Sequence, residues 1–287
     1  MAPKNAPTGR QRRLATELRR LREQAGISIQ DAAAMLGADR TMISNMEAGR
    51  TTVSADRVRQ LATHYKCPDG ELVEALAEIA ATRRVPTWWA EYRGKLPESH
   101  LDVSEVEHHA VRIRTAQTIH LPGLLQTEDH ARAIFRLAVP QLSRLDVELR
   151  VAHRMQRQDV LTGENPTPYL GIIHEAALRL GFGGWDVARA QLKRLVEASE
   201  QPHITLLVIP FSAGEFHGAG QSVLYAEGPV QQLDTVQLDT ALGGHFIDAP
   251  IPLANYRSLL DLMEASALPA DESRDLIRSI AEELGRP

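Results

Sequence analysis

The chain has 287 residues, 43% of them hydrophobic, and a formal net charge of −5. This length leaves room for two domains with a sizeable core in the second, and no apolar run approaches a membrane span, ITLLVIPF being far too short. No secretory h-region follows the basic start, and the single cysteine, Cys67, cannot close an internal disulfide, which fits a reducing cytoplasm.

Charge is unevenly placed. Residues 1–66 hold 12 Lys+Arg against 6 Asp+Glu, a balance of +6, which leaves −11 on residues 67–287. A basic N-terminal region on an acidic body suits local attraction of phosphate without general stickiness for nucleic acid.

In chain order, MAPKNAPTG (1–9) predicts a disordered basic start. Arg10, Arg12 and Arg13 follow it. Such residues can reach phosphates or a minor groove, or can serve as a solubilising tail, and both readings stay open. Leu14, Leu18 and Leu21 recur at i, i+4 and i+7, an apolar stripe on a helical period. Gly26 supplies a left-handed stop. Ser28 then caps a second helix, with Asp31 three residues on as its capping-box partner. Ala32, Ala33 and Leu36 face inward, the small alanines permitting close approach of a neighbouring helix. Gly37 makes the turn and Asp39 caps a third helix from about Arg40 to Glu47. Ile43 and Met46 point to the core there, which leaves Arg40, Thr41, Ser44 and Asn45 outward. Gly49 stops this helix, and Ser54 caps a fourth that carries Val58, Leu61 and Tyr65.

Over residues 10–67 this pattern resembles the Cro/repressor type (XRE family) of helix-turn-helix domain. Cap, glycine turn, core pair and the closing Glu47-Ala48-Gly49-Arg50 all fall in register. The resemblance implies DNA base-reading by Arg40, Thr41 and Asn45, with Ser44 as a neighbour that touches base or sugar. Side-chain chemistry agrees: Arg pairs bidentately with guanine, Asn with adenine, and a Thr methyl meets a thymine methyl. Arg22 and Glu47 match an ion pair that in the family ties the first helix to the end of the recognition helix. Ile29 stands where many members carry a Gln that helps hold a phosphate. Phosphate affinity is therefore expected from Arg50 with Arg10, Arg12 and Arg13.

Residues 68–87 read as a helical connector. Asp69-Gly70 breaks the chain, and Leu72, Val73, Leu76 and Ile79 form a stripe suited to the first domain or to a second subunit. Arg83-Arg84-Val85-Pro86 ends it. Beyond residue 88, helix-like stretches fall at 101–117, 127–138, 143–162, 186–199, 251–266 and 270–284. Strand-like runs fall at 167–173, 203–209, 221–227 and 235–239. Strict alternation is absent, so the expected fold class is an all-α helix-turn-helix domain followed by an α+β domain over 88–287 with a mixed, partly antiparallel sheet.

The strings IHLPGLLQTEDHARAIF, HRMQRQDVL, IIHEAALRLGFGG, QLKRLVE, ITLLVIP and LMEASALPADESRDLI occur in that order. Together they resemble the C-terminal domain of an actinobacterial, antitoxin-like class of regulators that includes WhiJ-like developmental regulators. That resemblance implies a transcription regulator, usually a repressor, encoded beside a small partner protein that modulates it. A homodimer on a pseudo-palindromic double-stranded operator in the cytoplasm, nucleoid-associated, is the accompanying expectation.

In the same domain Arg150, Arg154 and Arg157 fall at i, i+4 and i+7. They are candidates for a carboxylate-rich partner or an anionic ligand, against internal ion pairing with the abundant Asp and Glu. The glycine-rich stretch 212–221 reads as a loop bordering a pocket or interface, or as an ordinary long hairpin loop.

Catalytic signatures are near misses. His174-Glu175 lacks the second histidine of a zinc-protease helix, 181–186 lacks the last glycine of a dinucleotide fingerprint, and Leu224 stands where a nucleophile elbow needs glycine after Ser222. His108 and His109 are adjacent and cannot share a helix face as metal ligands. No catalytic residue, metal or cofactor is expected. Three readings therefore compete: a repressor controlled by a small protein, a repressor controlled by a small molecule, and, trailing both, an enzyme with a DNA-targeting module.

Overall fold

The structure, a computed structural model, describes residues 7–82, 87–218, 220–240 and 243–284. The chain divides into two units, one running to Glu91 with Pro229–Leu233 added, the other holding Tyr92–Gly228 and Asp234 onward.

Five helices build the first unit: α1 (Gly9–Gln24), α2 (Ile29–Met35), α3 (Arg40–Glu47), α4 (Ala55–His64) and α5 (Gly70–Thr82). Local chemistry sets their ends. Thr8 closes a full capping box with Gln11 at the start of α1. Ser28, Asp39 and Ser54 each accept a hydrogen bond from the backbone amide three residues on. The Ser28–Asp31 pair departs from a capping box in one respect: the Ser28 hydroxyl itself donates to Asp31 Oδ2, at 2.6 Å. Gly37 and Gly49 hold φ of 59° and 69°, a left-handed backbone that a side chain would strain.

The expected leucine stripe packs as one core with Ala32, Ala33, Ile43, Met46, Val58 and Leu61. Leu72, Leu76 and Ile79 of α5 join the same core. The anticipated connector is thus the fifth helix of the first unit, because its apolar face has a covering surface within that unit. Of the expected disordered start, residues 1–6 lie outside the described residues, while Thr8 and Gly9 already belong to the start of α1. Arg83-Arg84-Val85-Pro86 also lies outside them. Cys67 is half-buried against the core, the place of a small hydrophobe.

The second unit is α+β, as expected. Its helices are α6 (Glu98–His108), α7 (Glu128–Arg136), α8 (Arg144–Arg157), α9 (Asp159–Thr162), α10 (Glu175–Leu178), α11 (Trp185–Ala198), α12 (Pro250–Ala265) and α13 (Ala270–Glu283). The strands are β1 (Arg112–Gln117), β2 (Tyr169–His174), β3 (Ile204–Ile209), β4 (Val223–Glu227), β5 (Thr235–Thr240) and β6 (Gly243–Ile247). They form one sheet in the order β3-β2-β1-β4-β5-β6. β1, β2 and β3 run parallel, joined by helical crossovers, and β4 to β6 add as antiparallel neighbours.

Both sheet faces are covered. One carries Ile113, Tyr169, Ile173, Leu206, Val208 and Leu224 in a core shared with residues of α11 and α13. The other carries Ala116, Leu170, Ile172, Tyr225 and Val236 beneath Leu253, Leu260 and Met263 of α12.

Two expectations fail here. The stretch 101–117 is not one helix: α6 ends at His108 and the chain turns into β1. β6 was not anticipated at all. β1 reads poorly as a strand because RIRTAQ is mostly polar. Arg114 is nevertheless buried in it, held by Asp261 at 2.8 Å and Glu264 at 3.0 Å from α12. These partners lie about 150 residues downstream, beyond any local pattern.

Candidate nucleic-acid interface

Helix α3 is fixed from below. Ile43 and Met46 are buried in the core, and Glu47 at its end takes two bonds from Arg22 of α1, Nε to Oε1 at 2.6 Å and Nη2 to Oε2 at 2.8 Å. The Arg22 guanidinium also donates to the Ile27 carbonyl at 2.8 Å. Both charged side chains are only 8% exposed, so the pair is nearly desolvated. Hydrogen bonding to Glu47 outweighs burial and raises the Arg22 pKa, while burial, then Glu47, pushes the neighbouring Tyr65 hydroxyl up to about 12.

The outward face of α3 is different. Arg40, Thr41 and Ser44 are exposed and Asn45 is half-exposed. None of their side chains has a hydrogen bond or ion pair with any described residue. Arg50, just past the helix, is likewise exposed and unpaired among the described residues. One helix therefore presents a guanidinium, a carboxamide and two hydroxyls that no described side chain engages, in the size and shape that a major groove admits. Ile29, where the resemblance would place a Gln, packs in part against the core and offers no donor.

Arg10, Arg12 and Arg13 do not form an extended arm but lie in the first turns of α1. Arg10 donates to Thr82 Oγ1 at 3.1 Å, and Arg12 donates to the Pro7 carbonyl at 2.6 Å while staying exposed. Arg13 is a correction: at 7% exposure, paired with Glu17 at 3.0 Å, it is buried inside the helix packing and cannot face a phosphate.

In the second unit the arginine stripe of α8 does not act as one surface. Arg157 is buried against Glu107, Nε to Oε2 at 2.8 Å and Nη2 to Oε1 at 2.6 Å. Burial disfavours its charge, yet Glu107 prevails and the pKa is raised. Arg154 has no carboxylate partner among the described residues. It donates to the neutral Gln126 Oε1 at 2.6 Å and lies 4.5 Å from the Phe135 ring centroid. Its Nε is buried without a partner, and burial followed by repulsion from Arg157 lowers its pKa to about 10. Arg150 is half-buried, its Nε also without a partner.

Arg154 and Arg157 line a cavity of about 130 Å³ between α6, α8 and one face of β1, β2, β4 and β5. Thr115, Gln117, Tyr169, Gln237 and Asp239 face it from the sheet. These five were missed in the sequence, although TVQLDT carried a usable signal: a strand with both faces covered that alternates to Gln237 and Asp239 must turn polar groups toward something buried.

His174 and Glu175, the residues of the enzyme alternative, hold local structure. His174 Nδ1 accepts from the Ala176 amide, and Glu175 binds Arg179 and the Phe211 amide. Among the described residues no three His, Cys, Asp or Glu side chains converge as metal ligands. No helix among them is long and apolar enough to cross a membrane.

The first unit, with its clamped third helix and polar outward face, defines a helix-turn-helix DNA-binding regulator. A family model described as a helix-turn-helix domain matches residues 13–76. The model described as Domain of unknown function (DUF5753) matches residues 101–279, more than half of the chain, and the chain belongs to that family. No curated protein and no solved structure matches it.

Proposed function

We propose that the chain is a sequence-specific transcriptional repressor, not an enzyme, that binds a pseudo-palindromic operator as a homodimer. The carrying observation is the outward face of α3, four polar side chains without partners among the described residues, on a helix held by Arg22 and Glu47. Arg40 and Asn45 read bases, Thr41 and Ser44 add contacts to base methyl or sugar, and Arg50 meets phosphate. Two such helices address half-sites about 34–36 Å apart. The second domain receives the controlling signal. The resemblance to antitoxin-like regulators supports a small protein in that role. A second reading, a small-molecule effector, is favoured by the polar cavity of the second domain.

The test is selection of bound duplexes from a random library by the full-length chain, with Arg40→Ala in parallel. Enrichment of an inverted repeat with half-sites one helical turn apart, lost in the variant, is expected. Recovery of no motif, or of the same motif by Arg40→Ala, overturns the assignment of α3 as the reading helix.

A further inference from the structure

We propose that the cavity of the second domain binds a small zwitterion, a molecule carrying one carboxylate and one ammonium as a free amino acid does, with the carboxylate on Arg154 and the ammonium on Asp239. This rests on the second reading above, that a small molecule controls the domain, and gives that molecule its chemical class.

The charges that face the cavity decide the class. Arg157 and Glu107 neutralise each other through their two bonds and present no net charge. His100 and His120 also line it, and burial lowers the pKa of both, His100 to about 4, so neither is a cation at neutral pH. Two charges remain. Arg154 lies inward, its Nε sealed from solvent and, among the described residues, unpartnered, with its one hydrogen bond there given to a neutral carboxamide. Asp239 lies at the exposed rim, with one oxygen taking a 2.6 Å bond from Gln237 Nε2 and no cation paired to it among the described residues. No salt bridge joins the two among the described residues, although Asp239 attracts Arg154 through space and favours its charge.

A half-buried guanidinium that bonds no carboxylate among the described residues is costly, and the cost is relieved by an occupant that supplies one. A simple anion would meet Arg154 but would be repelled by Asp239, and a simple cation would suffer the reverse. A molecule with both charges satisfies both walls at once. The Tyr169 and Thr115 hydroxyls, 2.7 Å apart, and the Gln117 carboxamide add neutral hydrogen-bonding groups for the rest of the molecule. The volume admits a molecule of a few heavy atoms and excludes a peptide helix or a nucleic-acid strand.

The experiment is isothermal titration of the full-length chain with the twenty common α-amino acids, β-alanine and 4-aminobutyrate. The matched acids without an amino group and the matched amines without a carboxylate serve as the comparison set. At least one zwitterion is expected to bind, with its acid and amine counterparts silent. Arg154→Gln should weaken binding by about tenfold or more, the loss of a charge-assisted bond. Asp239→Asn, at the exposed rim and keeping an oxygen for the Gln237 bond, should weaken it by about threefold or more. Binding of the deaminated acids as tightly as the zwitterion, with Asp239→Asn silent, overturns the zwitterion and leaves the small-molecule reading standing. Absence of binding in both sets overturns both.

Discussion

Arg22 and Glu47, 25 positions apart, meet through two bonds of 2.6 and 2.8 Å at a site where both are nearly sealed from water. The pair ties the end of α3 to α1. Orientation of the outward side chains of α3 therefore depends on a contact that touches no DNA.

Glu47→Ala strips one partner from a nearly buried pair and leaves Arg22 uncompensated. A loss of about 3–5 kcal/mol is expected, a large share of the stability of a small domain. DNA affinity should fall with it. A melting temperature equal to that of the parent chain would contradict the structural role of the pair.

Arg40→Ala removes a side chain that is exposed and unpaired among the described residues, so stability should hold. Preference for the specific site should drop by about 1–3 kcal/mol, while weak non-specific binding persists. Competition between specific and random duplexes, read by fluorescence anisotropy, checks the separation.

Arg50 and Arg13 should behave in opposite ways. Arg50→Ala is expected to weaken binding alike for all sequences and to reduce the salt slope by about one. Arg13→Ala should leave that slope unchanged and lower stability, because Arg13 is buried against Glu17. A reduced salt slope in Arg13→Ala would reinstate it as a phosphate contact.

His130 is 1% exposed, and neither ring nitrogen has a hydrogen-bond partner among the described residues. Burial, then His120 and Arg154, lowers its pKa from 6.5 to about 4. Between those values the unfolded chain binds a proton that the folded one does not. Stability is therefore full above about pH 6.5 and falls as pH drops toward 4. His130→Leu should flatten that part of the urea-derived stability profile, by about 1–3 kcal/mol at pH 4, at a cost of about 1 kcal/mol or less at pH 7. An unchanged profile would mean that His130 is not the titrating group.

The first unit was largely legible because its determinants are local. A cap such as Asp39 acts on an amide three residues away, Gly37 and Gly49 act on their own backbone, and the leucine stripe repeats within one helix. From those the sequence alone determined the helix-turn-helix and the outward set of α3. It also placed four of the six strands, β2 to β5.

Tertiary structure decided what depends on distant partners. Arg114 makes β1 tenable only because Asp261 and Glu264 arrive from α12. Arg13 was moved from phosphate contact to core by Glu17 and by the packing around α1. Three arginines at i, i+4 and i+7 on α8 took different environments among the described residues: Arg157 found Glu107, Arg154 found Gln126 and Phe135, and the Arg150 Nε is buried unpaired. Charge spacing sets which side chains share a helix face, but the energy of a buried charge is set by what folds against it.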